Sequence, residues 1–330
     1  VRHLPLRKLL CAVALAGAAL GAQAQAFPSR PVTVIAPFAA GGSADGVARV
    51  VARELGQVLG QPVIVDNKPG AGGATGLMLV AKANPDGYTL GMGAAGAIVI
   101  GPHLPDAPAL NPQKQLQPLA KVADIPLVLV AGSGSGSASG SGAGYATLQA
   151  LLDAAKTTEV PTGNSGQYTA HHLAAELLAS TTKTRLPAVP YRGSAPAVSD
   201  VIGGQVPVAF VDLTSVAGHL KAGTVKALGV TSAGRSKLAP DIPSIGETVP
   251  GYAAPAWLGM FAPKGLPPEV SDRLATGLRT VLEKPEVQAQ ILTLSAEPAY
   301  LGPKPFAGFI DAESRRWAAV ISRLPGQPQK

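Results

Sequence analysis

A single cysteine, Cys11, is the only thiol in this chain, and aromatic residues make up just 4% of it. Charged residues are also sparse, at 14%, and beyond the N-terminus they form no lysine or arginine run. Each shortage excludes something. Cys11 falls in a segment expected to be removed, so the mature protein has no disulfide, thiolate nucleophile or cysteine metal site. Few aromatics leave no platform on which bases or sugar rings would stack. Without basic runs, nucleic acid is not expected as a partner. No apolar stretch is long enough to span a bilayer comfortably.

What the chain has in plenty is glycine, 39 residues, and proline, 31, within 330 residues that are 46% hydrophobic. That mixture points to a globular protein of many short elements and tight connections. Its length lies above the size at which one core usually splits into two domains. Residues 1–26 read as a secretory signal peptide. Arg2, Arg7 and Lys8 precede an apolar segment from Leu9 to Leu20, and Ala22-Gln23-Ala24 or Ala24-Gln25-Ala26 supplies the cleavage signature. Its removal leaves 24 basic residues against 20 acidic ones and lowers the net charge from +7 to +4. A mild positive balance favours small anions weakly and in a salt-dependent way. Export without a disulfide fits a bacterial periplasm.

The most informative stretch is Val32-Thr33-Val34-Ile35-Ala36-Pro37-Phe38-Ala39-Ala40-Gly41-Gly42-Ser43-Ala44-Asp45. It predicts a buried strand, a loop opened by two glycines, and a helix starting near Ser43. The unpaired N–H groups and positive dipole end of such a helix form a seat for a carboxylate or phosphate. Helical spacing then continues over 44–59, and strand, helix and strand follow at 62–65, 72–83 and 88–92. Residues 102–118 read as proline-rich and irregular, and 125–131 as one strongly apolar strand. A second α/β rhythm covers 145–230, with helices and strands alternating. Helices are expected at 268–282 and 305–321, with a strand at 257–262. The fold class expected is α/β, each domain a mainly parallel sheet flanked by helices. Residues 132–144, almost pure Gly, Ser and Ala, read as a flexible low-complexity loop.

Several motifs invite sharper readings and fail them. Gly91-Met92-Gly93-Ala94-Ala95-Gly96 fits a dinucleotide fingerprint, but Pro102 and Pro105 leave little room for the helix it requires. The looser set Gly70, Gly72 and Gly76 is separated from its strand. No cofactor is expected. His171 and Glu176 are five residues apart, wrong for one helical face, so the His171-His172 pair predicts no metal site. Ser165 lies in Gly163-Asn164-Ser165-Gly166-Gln167, one place out of step with a nucleophile elbow. No enzyme constellation is complete, and none is expected. The 163–172 segment instead resembles the first seat. Asn164, Ser165, Gln167 and Thr169 gather small polar groups before a helix, with Thr169 a possible N-cap. Asp212 is read as open to a ligand ammonium, a water or a helix cap.

Taken in order, Phe27-Pro28-Ser29-Arg30-Pro31-Val32, Asn67-Lys68-Pro69-Gly70-Ala71-Gly72-Gly73 and Pro85-Asp86-Gly87-Tyr88-Thr89-Leu90 resemble a known family. So do His172-Leu173-Ala174 and Pro190-Tyr191-Arg192-Gly193-Ser194-Ala195-Pro196-Ala197. The family is that of the substrate-binding proteins of tripartite tricarboxylate transporters, the Bug receptors. The resemblance implies a two-domain Venus-flytrap fold, with 27–126 and 235–330 in one domain, 127–234 in the other, and two crossover strands as hinge. It implies a small carboxylate ligand, membrane permease subunits as partners, a monomer, and no catalysis. A sensing role beside a membrane kinase is the alternative, and an enzyme on the same scaffold a weaker one. By position, it carries ligand binding onto Phe38, Ala40, Gly41, Gly42, Ser43, Asp45 and Ala94 in the first domain. In the second it reaches Ser165, Gln167, Thr169 and His172, with Asp212 beside the cleft. The chain departs at Tyr168, where the family has glycine, and at Arg192, where it has lysine. Both are kept as ligand-binding candidates.

Overall fold

The computed structural model describes residues 27–41, 43–104, 109–133, 144–167 and 169–322. The segment expected to be a signal peptide and nearly all of the Gly/Ser loop lie outside the described residues, as do Gly42 and Tyr168.

Two sheets carry the fold. The strands of the first are β1 (Val32–Ala36), β2 (Val63–Asn67), β3 (Thr89–Ala94), β4 (Leu116–Ile125), β10 (Ala256–Pro263) and β11 (Glu297–Leu301). Their order is β11-β4-β10-β3-β1-β2. The second sheet holds β5 (Leu127–Gly132), β6 (Thr162–Asn164), β7 (Ala188–Pro190), β8 (Val208–Asp212) and β9 (Val225–Val230), in the order β7-β6-β8-β5-β9. Helices pack on both. They are α1 (Ser43–Leu59), α2 (Ala74–Lys82), α3 (Pro112–Gln115), α4 (Leu148–Ala155), α5 (Ala170–Thr182) and α6 (Ser194–Ile202). The rest are α7 (Leu213–Lys221), α8 (Ile245–Thr248), α9 (Pro268–Leu282), α10 (Pro285–Thr293) and α11 (Pro303–Ile321).

Both sheets are mixed, which corrects the expectation of mainly parallel ones. β1 runs parallel to β2 and β3, but β10 is antiparallel to β3 and β4, and β11 to β4. In the second sheet β6 is parallel to β7 and β8, whereas β5 is antiparallel to β8 and β9. The cause is the route of the chain. Parallel neighbours need a crossover helix between them, and β5 and β10 instead enter their sheets directly from the other lobe. Pro126 breaks the apolar run at 125–131 between the two sheets, so Ile125 ends β4 and the rest of the expected strand is β5. The chain returns between β9 and β10, where the Ala254 amide donates to the Thr231 carbonyl at 2.8 Å.

β5 shows why its sequence is unbroken in hydrophobicity. Leu127, Leu129 and Ala131 join the large core that also holds the first sheet, and Val128 and Val130 face a smaller cluster with Val211 and Val216. Alternate side chains are thus buried on both faces. α1 buries Val47, Val51, Leu55 and Leu59 on one face, and Gly60, at φ 73°, turns the chain out of it.

Candidate functional site

At the end of β1, the strand–loop–helix unit closes on Asp45. This carboxylate is only 3% exposed. The Gly41 amide donates to its Oδ2 at 3.0 Å, Arg49 Nε donates to the same oxygen at 3.0 Å, and Asn67 Nδ2 donates to Oδ1 at 2.7 Å. The Asn67 amide also reaches the Phe38 carbonyl at 3.1 Å. It can do so because β2 pairs with β1 in parallel, with Asn67 opposite Ala36. Burial pushes the Asp45 carboxyl upward, but hydrogen bonds from Arg49, Gly41 and Asn67, with the Arg49 charge, outweigh it and hold it below the ordinary 3.8. Asp45 is therefore committed to shaping the loop. Gly41 stands at φ 89°, a conformation that glycine adopts without a steric penalty. Phe38 is partly buried, Ala40 and Gly41 are exposed, and Ala94 ends β3 partly buried. Ser43 opens α1.

The second unit lies between β6 and α5. Thr169 is the N-cap of α5, its hydroxyl accepting from the His172 amide at 3.3 Å and donating to the Gly166 carbonyl at 2.7 Å. Asn164 is fully buried, and its Oδ1 accepts from the Gly166 amide at 3.0 Å. Ser165 is half-buried and Gln167 exposed.

His171, the neighbour of the expected residue, is the one that joins this cluster. Its Nδ1 lies 2.5 Å from Ser165 Oγ and its Nε2 3.0 Å from Asp212 Oδ1. Asp212 Oδ2 accepts from Ser194 Oγ at 2.9 Å, and the Ser194 hydroxyl accepts from the Asp212 amide at 3.1 Å. Asp212 occupies the N-cap position of α7 but gives it no side-chain bond, so the capping reading is set aside. Burial alone would raise its carboxyl; the His171 imidazole and the Ser194 hydroxyl outweigh that and hold it low. His172 turns to Glu176, one helical turn on, at 3.7 Å. Burial disfavours charge on both, lowering the imidazole and raising the carboxyl. Arg192 is exposed in the loop after β7.

Sequence spacing could not choose between two adjacent histidines, and it left Asn67, Arg49 and Ser194 unassigned. The available signals were local: Asn67 opens an Asn-Lys-Pro-Gly turn, and Ser194 follows Gly193, whose φ of 118° ends the loop before α6. The Ser165–His171–Asp212 line superficially resembles a hydrolase triad. Its polarity is reversed, with serine on Nδ1 and carboxylate on Nε2. No group of three or more His, Cys, Asp or Glu side chains is placed to hold a metal among the described residues.

Leu294 lies against helix starts of both lobes. The Leu294 carbonyl accepts from Thr214 Oγ1, in the first turn of α7, at 2.9 Å. A Cβ placed on Gly46, next to Asp45, would lie 2.8 Å from Leu294 Cδ2. The starts of α1 and α7, one from each lobe, thus converge on Leu294.

Two α/β lobes joined by two crossings, with a polar loop–helix unit in each, define a periplasmic binding protein fold. Residues 47–325 match the tripartite tricarboxylate transporter family receptor, TctC. A protein of Pseudomonas sp. strain P51, encoded in the tcbD-tcbE intergenic region, is 36% identical over 96% of this chain and 93% of its own length. Protein BugT of Bordetella pertussis is 34% identical over 94% of each. Among solved structures, the periplasmic binding protein BugD superposes with a TM-score of 0.78 at 32% identity, covering 90% of this chain and 98% of its own. An R. palustris protein solved with adipate gives 0.80 at 29%, over 90% and 98%. MatC of Rhodopseudomonas palustris, solved with malate, gives 0.78 at 30%, over 89% and 100%. The chain belongs to the TctC family of tripartite tricarboxylate transporter receptors, which are solute-binding proteins and not enzymes.

Proposed function

We propose that the protein is an exported periplasmic receptor that closes on a small organic carboxylate, a dicarboxylate by preference, and delivers it to the membrane subunits of a tripartite transporter. What carries the reading is the likeness, over nearly the whole chain, to the relatives solved with adipate and malate. The ligand lies between a first domain of 27–126 with 235–330 and a second of 127–234. On the first side Phe38, Ala40, Gly41, Gly42, Ser43 and Ala94 meet it, with Asp45 shaping their loop from behind. On the second side Ser165, Gln167, Tyr168, Thr169 and His172 do so, with Arg192 and Asp212 flanking. Backbone amides at the two helix starts supply the positive potential an anion needs. Closure is a hinge motion about the two crossings, favoured only by contacts that the ligand makes in the closed state. The receptor acts as a monomer.

The test is a thermal-shift panel of malate, adipate, citrate, aspartate and an aromatic acid on the mature protein. A ligand of the native state raises the melting temperature. A rise with at least one acid is expected; a flat response across the panel would overturn the reading.

A further inference from the structure

The hydrogen bonds around His171 fix more than its position. Asp212 Oδ1 faces Nε2 at 3.0 Å, and an ionised carboxylate only accepts, so Nε2 carries a proton in either charge state of the ring. The nitrogen whose protonation differs between the two charge states is therefore Nδ1, the atom against Ser165 Oγ. A neutral ring leaves Nδ1 a lone pair, which takes the single hydroxyl proton of Ser165. The hydroxyl then offers only lone pairs outward. A protonated ring donates from Nδ1 into Ser165 Oγ, and the hydroxyl proton is released to point elsewhere. Among the described residues its alternative is Thr169 Oγ1, at a long 3.4 Å. Thr169 is already engaged with the Gly166 carbonyl and the His172 amide. Ser165 is half-buried, so an incoming carboxylate oxygen is the better acceptor.

We propose that His171 is a positioning residue that sets the polarity of Ser165 toward the ligand, presenting a donor to a carboxylate when the ring is protonated and an acceptor when it is neutral. This rests on the receptor reading above and adds a regulation to it: the second lobe holds a carboxylate more tightly with the His171 ring protonated than with it neutral. Among the described residues, Asp212 is the charged side chain bonded to the His171 ring. α5 packs against β6, β7 and β8. β6 and β7 carry no ionisable side chain, and β8 ends in Asp212. Beyond β7, Tyr191 donates to Asp200 at 2.7 Å and Arg192 is exposed. Tyr252 reaches α5 from the return crossing but bonds the Ala174 carbonyl at 3.0 Å. On α5 itself, His172 lies against Glu176.

The experiment is calorimetric titration of the mature protein with malate and with adipate from about pH 6 to 8, across the range in which imidazoles change charge. The wild type is expected to bind on the order of tenfold more tightly at the low end, the size of one charge-assisted hydrogen bond. Ser165→Ala keeps the His171 charge but removes the relay, and its affinity should be weaker and flat with pH. His171→Gln should also be flat. A slope that survives in Ser165→Ala would show plain charge attraction and overturn the proposal, as would a flat wild type. A wild-type readout guards against a variant that does not fold. The His171 imidazole signal in proton–carbon NMR should titrate at higher pH with saturating ligand than without, and an unmoved midpoint overturns the relay. Absence of binding to either acid at every pH would instead sink the receptor reading, and this proposal with it.

Discussion

Asp45 illustrates how an acid comes to sit buried in the loop that opens a helix. Three donors converge on a carboxylate that is buried beside the helix start, and the group becomes part of the scaffold. Asp45→Ala leaves Asn67 Nδ2 and the Gly41 amide without that acceptor and should destabilise the first lobe by about 2 kcal/mol. The pH dependence follows from the sign of the shift. A carboxyl held below its unfolded value of 3.8 contributes fully above that value and loses its contribution as pH falls through the folded one. The melting temperatures of wild type and Asp45→Ala should therefore differ at neutral pH and approach each other below about pH 4. A difference unchanged by acid would contradict this account. At the same scale, the sequence made the polar character of the 163–172 segment legible, but not which histidine served it. A helix advances about 100° per residue, so adjacent residues face different surroundings. Only the placement of Asp212 and Ser194, far along the chain, decides between them.

Elements were legible where one force dominated. α1, α9 and β9 fall where periodicity and breakers place them, because a single buried face and a terminal glycine or proline agree. β4 was hidden. Its first three residues fall in the segment read as irregular and residues 119–124 receive no element, because Pro118, Lys121 and Asp124 break any alternation; its hydrogen-bonded neighbours on both sides hold it in the sheet. β11 and α10 were missed for a similar reason, being short and half-exposed. The interior strand β10 gives a direct packing test. A Cβ on Gly259 would strike Phe306, meeting Cζ and lying 2.6 Å from Cε1. That ring is itself wedged between Trp257 and Phe261, at 5.5 and 5.4 Å between centroids. Gly259→Ala should cost about 1–3 kcal/mol through overpacking, read as a lower denaturation midpoint. An unchanged midpoint would mean the ring has room to move. At the start of α5, Thr169→Ala should cost roughly 1 kcal/mol as a lost cap. It should also weaken carboxylate binding, which Gly259→Ala should not do in the folded protein.

For the whole molecule, the alternation of strands and helices made two α/β lobes legible, while strand direction was not. Direction depends on whether a strand is reached over a helix or through a crossing, and the peptide around Pro126 carries no periodic signal of its own. Among the described residues the lobes meet at the two crossings, at Leu294 and through a shared apolar core, so a ligand between them should couple their stabilities. At a concentration about 100 times Kd it should add about 2.7 kcal/mol to unfolding, visible as a joint upward shift of both lobes in thermal scans. Two transitions of which only one moves would contradict a shared site. The most direct measurement of the central claim is native mass spectrometry of the mature protein purified without denaturation. One small carboxylic acid per chain is expected, either retained from the cell or taken up on adding malate or adipate, and displaced by an excess of a competing acid. A bare chain that takes up no acid from a broad panel would contradict the account.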